Sequence, residues 1–388
     1  MNRNVTVQAK SVATAPNHSK IANQTRALSR SIAMSSCRTM NLNRTINYSA
    51  TMHGGSQTSS STMHYSSPTN IFKHKRLIWG LPVFLILMIT MMTGCSNPFE
   101  SENTVEAEAA GKFRITATTG MIADAARQVG GEHVYVTGLM GPGVDPHMYK
   151  ASQGDIRKLD KADLVLYNGL HLEGSMTNIM EKMSRTRNVI AVTASIPTSE
   201  LRQSEENSSE YDPHIWFDVS LWMQAVEQIR DALIAADPDH AENYRDNAAA
   251  YLDELKQLDK EVQQQIASIP QQSRVLITGH DAFGYYGDAY NIEVRGLQGI
   301  STASEYGSRD VSELRDMLVQ RRIQAVFVES SVPARSMEAI IAGAAQQGHT
   351  VHIGGELYSD ALGEQGSDAG DYIGMVRHNT ETIVKALR

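Results

Sequence analysis

The chain has 388 residues, room for two ordinary domains and further segments, and its 41% hydrophobic fraction suits a packed soluble core. The net charge of −8 is unevenly spread: residues 1–94 hold ten Lys or Arg and no acid, leaving 25 basic against 43 acidic residues for the remainder. So acidic a body excludes nucleic acid as a partner, since phosphate recognition needs basic patches, and only Cys37 and Cys95 are present, both upstream of that body, which excludes a disulfide framework or thiolate metal site within it.

Residues 1–76 read as a disordered or mis-assigned N-terminal extension. The stretch 1–62 is rich in Ser, Thr, Asn and Met without apolar periodicity, so it cannot bury enough surface to offset its ordering entropy. Met63 is a sensible alternative start, and a basic, acid-poor transit peptide has a similar composition. Lys73, Lys75 and Arg76 then precede an apolar run over 77–92 that closes on Thr93-Gly94-Cys95. A basic patch, a short apolar stretch and small residues before a cut site form a secretory signal, with an uncleaved anchor as the alternative. Met92-Thr93-Gly94-Cys95 resembles the lipobox of bacterial lipoproteins, although Leu is commoner than Met at its first position. That resemblance implies a signal peptide over 77–95, lipidation of Cys95, and a body anchored outside the cell membrane. Residues 96–111, rich in Ser, Asn and Glu, read as a tether.

From Lys112 onward the pattern is α/β. Short β-branched runs at 114–118, 134–136, 164–167 and 189–192 alternate with helical segments, and the alternation resumes at 275–278, 293–297, 325–328 and 351–353. Strands spaced by helices predict largely parallel sheets, with ligands beyond the carboxyl ends of the strands. Between the two sets, Ala241, Tyr244, Ala248, Tyr251, Leu255, Leu258, Val262 and Ile266 recur at steps of three and four. That spacing predicts one helix roughly 40 Å long with a continuous apolar stripe. The expected organisation is two lobes, 112–238 and 270–388, each a small mostly parallel sheet flanked by helices, joined by one rigid helix over 239–269.

Most of the thirteen histidines need no special role. His18, His53, His64 and His74 lie in the front segment; His133, His240, His349 and His378 sit in polar or helical contexts; His352 reads as a core residue of a strand and His171 as structural. Three others stand in loops where an α/β sheet presents ligands. Asp145-Pro146-His147 and Asp212-Pro213-His214 repeat one tripeptide, and His280 follows the strand at 275–278. Proline before each of the first two restricts the local backbone. A loop from Gly354 to Asp360 adds a carboxylate at Asp360, with Glu356 as a supporting partner. Imidazoles with one carboxylate suit zinc, manganese or iron and fit calcium or magnesium poorly. No local motif joins these residues, so spacing alone leaves a shared site open.

At these residues the chain resembles the metal-binding receptors of ABC importers, the TroA-like or cluster A-I family. The matching stretches run in order: 143–149 around His147, 212–218 around His214, 280–286 from His280, Gly296-Leu297-Gln298-Gly299-Ile300-Ser301-Thr302, Phe327-Val328-Glu329-Ser330-Ser331, and 355–360 up to Asp360. The resemblance covers about 112–388. It implies a lipid-anchored extracytoplasmic protein with no enzymatic activity, whose permease and ATPase partners take one divalent ion, manganese or zinc, held by His147, His214, His280 and Asp360. A monomer is expected. A histidine at 280 fits zinc and mixed zinc/manganese members, whereas the loop 198–210, free of histidine, departs from dedicated zinc scavengers. Two alternatives belong to other classes: a surface adhesin of the same fold, and a secreted zinc hydrolase, for which no general base is paired with the ligands.

Overall fold

A computed structural model of the chain describes residues 109–204 and 209–388. The expected extension, the signal segment with Cys95 and most of the tether lie outside the described residues. Among the described residues no helix is long and apolar enough to cross a membrane.

The N-terminal lobe carries β1 (Phe113–Ala117), α1 (Gly120–Gly130), β2 (Val134–Gly138), α2 (Gln153–Lys161), β3 (Leu164–Tyr167), α3 (Thr177–Met183), β4 (Val189–Ala191) and α4 (Val219–Ala236). Its four strands form one parallel sheet in the order β2-β1-β3-β4. After α5 (Ala241–Ala267) come β5 (Val275–His280), α6 (Gly284–Tyr290), β6 (Glu293–Gln298), α7 (Ser308–Arg321), β7 (Ala325–Glu329), α8 (Arg335–Gln346), β8 (His352–Leu357) and α9 (Tyr372–Leu387). Here β5 pairs with β6 and β7 with β8, again in parallel, and β5 runs beside β7. The β-branched runs become strands because crossover helices cover them, so continuous apolar stretches bury well.

Of the eight apolar positions expected along α5, all but Ala241 are buried. The stripe packs on α1 and α4 at one end and on α6 and α9 at the other. One apolar core therefore runs through both lobes and the helix. Aromatic rings bridge the two halves: Phe217 stacks on Phe283 with centroids 4.2 Å apart, and Trp222 on Tyr372 at 5.0 Å. Swinging the lobes wide apart would expose that area, at about 25 cal/mol per Å² of apolar surface.

Three expectations are corrected. His280 is the last residue of β5, not the first of a loop. The loop expected from Gly354 is instead strand: β8 extends to Leu357, with a register shift opposite Val326 and Phe327. His352, expected in the core, is exposed. Gly354 and Gly355 read as loop residues, but their missing side chains let α9 press onto β8. A Cβ at Gly354 would stand 2.7 Å from the Ala386 Cβ, and one at Gly355 2.3 Å from Thr382 Cγ2. Gly354→Ala is accordingly expected to lower stability by about 1–3 kcal/mol through overpacking, read as a lower urea midpoint with unchanged slope.

Candidate metal centre

His147, His214, His280 and Asp360 arrive from four separate loops or strand ends, and all four are buried. One ligand-capable atom from each lies within 4.8 Å of the others. His214 Nε2 stands 3.3 Å from His147 Nε2 and 3.4 Å from Asp360 Oδ1, and His280 Nε2 is 3.3 Å from Asp360 Oδ2. The edge of a tetrahedron built on bonds of 2.0–2.2 Å is about 3.3–3.6 Å, which the His147–His214 and His214–Asp360 spacings match, while His280 approaches the other carboxylate oxygen. The approach of His147 Nε2 to Asp360 Oδ1 is longer, 4.0 Å.

Each Asp-Pro-His tripeptide is a small hydrogen-bonded turn. Asp145 Oδ1 accepts the His147 N–H at 2.8 Å, and Asp212 Oδ1 accepts the His214 N–H at 2.9 Å. Asp212 Oδ1 also lies 2.7 Å from His214 Nδ1. Behind His280, Glu329 plays two parts: Oε1 accepts the His280 N–H at 2.9 Å, and Oε2 lies 2.6 Å from Nδ1. On His214 the Asp212 carboxylate keeps the proton on Nδ1 and turns the lone pair of Nε2 inward, as metal-bound imidazoles require, and Glu329 faces His280 Nδ1 at ion-pair distance in the same place. The Ser331 hydroxyl donates to Asp360 Oδ2 at 3.1 Å.

Electrostatics at the cluster are unbalanced without a cation. Burial lowers the His147 imidazole to about 3. For His214, burial works the same way but the Asp212 and Asp360 carboxylates outweigh it and push the ring up to about 9. Glu329 and Asp360 likewise overcome burial and hold His280 well above its ordinary value, while His280 and His214 hold Asp360 well below its own. His280 Nδ1 and Glu329 Oε2 meet at ion-pair distance without hydrogen-bond alignment, and His280 Nε2 and Asp360 Oδ1 are buried without a hydrogen-bond partner. Such atoms are costly to leave unpaired, and an ion between them satisfies both.

Glu356, expected to support the cluster, does not. It is exposed on β8, where its backbone pairs with Val328 and its carbonyl meets the His378 ring at 3.1 Å. Glu329 holds the place instead, together with Asp212 on the opposite side. An apolar strand ending in a buried carboxylate, Ala325-Val326-Phe327-Val328-Glu329, was the available signal. The remaining histidines of the body stay outside the cluster: His240 pairs with Asp237 at 2.8 Å and stacks on His133, while His349 meets the Ile323 carbonyl at 2.6 Å.

Residues 115–386 match the family model described as zinc-uptake complex component A, periplasmic (ZnuA). The chain is 50% identical over 309 residues to the manganese-binding lipoprotein MntA of Bacillus subtilis, covering 80% of this chain and 99% of that protein. It is 45% identical over 302 residues to the zinc-binding protein TroA of Treponema pallidum, covering 78% and 96%. The solved structure of TroA superposes with a TM-score of 0.70 at 46% identity, over 71% of this chain and 99% of that one. A manganese ABC transporter substrate-binding lipoprotein, PsaA of Streptococcus anginosus, is 28% identical over 314 residues, 79% of this chain and 98% of its own length. With two parallel-sheet lobes, a long connecting helix and this match over most of its length, the chain belongs to the ZnuA family of metal-uptake receptors.

Proposed function

We propose that this chain captures one divalent transition metal ion, manganese or zinc, outside the cell membrane and hands it to the permease of an ABC importer. His147, His214, His280 and Asp360 are the ligands, 112–238 and 270–388 are the two lobes, and 239–269 is the strut between them. The observation carrying the reading is the buried set of three imidazoles and one carboxylate whose ligand atoms lie within 4.8 Å of one another, with unpaired polar atoms among them. The names of the relatives support it: MntA is manganese-binding, TroA zinc-binding, and PsaA a substrate-binding lipoprotein of an ABC transporter. Four protein ligands leave no open position for an activated water, which separates the site from catalytic zinc. Lipidated Cys95 is the proposed anchor, and the permease and its ATPase are the proposed partners.

Capture needs unprotonated ligands, so affinity falls as pH drops, beginning at about 9, where the His214 ring takes up its proton. Zinc outbinds manganese in most such donor sets, so zinc added to the manganese form should displace it. Elemental analysis of the purified protein tests the reading: one ion per chain is expected. At an ion concentration about a hundred times Kd, binding adds about 2.7 kcal/mol of stability, a rise of several degrees in melting temperature that a chelator removes. A protein that retains no ion and melts alike with zinc, manganese or chelator is not this receptor.

A further inference from the structure

Asp145 faces two ways. Its Oδ1 accepts the His147 N–H at 2.8 Å, and its Oδ2 accepts the Thr302 hydroxyl at 2.6 Å. Asp145 lies in the loop after β2 and Thr302 in the loop after β6, so one carboxylate joins a ligand-bearing turn of the N-terminal lobe to the C-terminal lobe. Thr302 is itself held, its carbonyl accepting Gln298 Nε2 at 2.5 Å.

His147 is the least supported of the three rings. His214 has Asp212 behind it and His280 has Glu329; among the described residues no ion pair reaches His147 Nδ1. The His214 turn is also tied to the C-terminal lobe three times: Trp216 Nε1 donates to the Ser359 carbonyl at 3.0 Å, the Tyr372 hydroxyl to the Trp216 carbonyl at 2.7 Å, and the Tyr285 hydroxyl to the Asp212 carbonyl at 2.9 Å. For the His147 turn the hydrogen bond across is Asp145 to Thr302. Its retreat into its own lobe is blocked, because the His147 carbonyl lies where a Cβ on Gly174 (φ +43°) would be only 2.5 Å away. Its outward side is the less covered: His147 is 7% exposed, against 0% for His214 and His280, and the neighbouring Met148 is 55% exposed.

We infer that Asp145 is a positioning residue whose bond to Thr302 is a latch governing how long the ion stays. With the lobes together, the latch presses the His147 backbone, and through it the ring, toward Asp360. Drawing Thr302 away frees the turn to swing outward, so His147 is the first ligand to leave and the ion opens on that side. The inference rests on the metal-receptor reading and adds its order of release.

The test compares Thr302→Val, which removes the hydroxyl at nearly constant shape, with Thr302→Ser, which keeps it. Zinc-loaded full-length protein is mixed in stopped flow with excess chromophoric chelator. Thr302→Val should release zinc about tenfold faster, with its association rate within roughly twofold of the parent. It should still load one ion per chain, and Thr302→Ser should release zinc like the parent. Equal release from Thr302→Val and the parent overturns the latch alone, and so does equal acceleration in both variants. A parent that takes up no zinc overturns the receptor reading and the latch with it.

Discussion

His214→Ala is expected to lower affinity for zinc and manganese by more than about a hundredfold, exceeding the 10–100-fold loss usual for a group that merely supports a ligand. The ring is fully buried, its Nε2 lies within 3.4 Å of two other donors, and Asp212 fixes its orientation. Alanine removes one of four donors and also leaves Asp212 Oδ1 without its ring partner. Two effects on stability therefore oppose each other. The metal-free protein loses the pairing of a buried carboxylate, but it is also relieved of a ring that must share space with two others. What should vanish is the response to metal. A melting temperature that rises equally with zinc in variant and parent would remove His214 from the ligand set.

Glu329→Gln tests the support behind His280 with almost no change in volume. In the parent, Oε1 accepts the His280 N–H and Oε2 faces Nδ1 at 2.6 Å. In the variant the amide oxygen keeps the backbone bond, which places the NH2 group opposite Nδ1. That nitrogen must then accept, so the proton moves to Nε2, the atom that should meet the ion. Affinity is expected to fall about 10–100-fold, the range for removal of an outer partner from a metal-bound histidine. Glu356→Gln, on the exposed side of β8, should leave affinity unchanged and serves as the control. Isothermal titration separates them, and equal affinities for parent and Glu329→Gln would refute the tautomer argument.

Much of this arrangement was legible in the residues. Helix α5 announced itself through an apolar stripe of period 3.6, a signal that depends only on the helix's own positions. The three histidines stood out through their place at strand-to-helix loops and the repeated Asp-Pro-His. What escaped depended on partners distant along the chain. Gly354 and Gly355 look like a turn locally, yet α9, packed from the C-terminus, makes them strand. Glu356 was expected to support Asp360 from the same loop, but it lies exposed on β8, while Glu329 ends β7 behind His280. His352 looked apolar by association with Val351, but β8 leaves that end open to water.

Trp216 has a further consequence. It is 1% exposed, its indole centroid is 5.2 Å from the His214 ring, and its N–H is bound to the Ser359 carbonyl beside Asp360. Protonated imidazole quenches indole emission, and replacing its proton with an ion changes that quenching, so cargo loading should be visible as a change in intrinsic fluorescence. The protein thus carries its own optical gauge, and filling and emptying can be followed in unlabelled material on the millisecond scale.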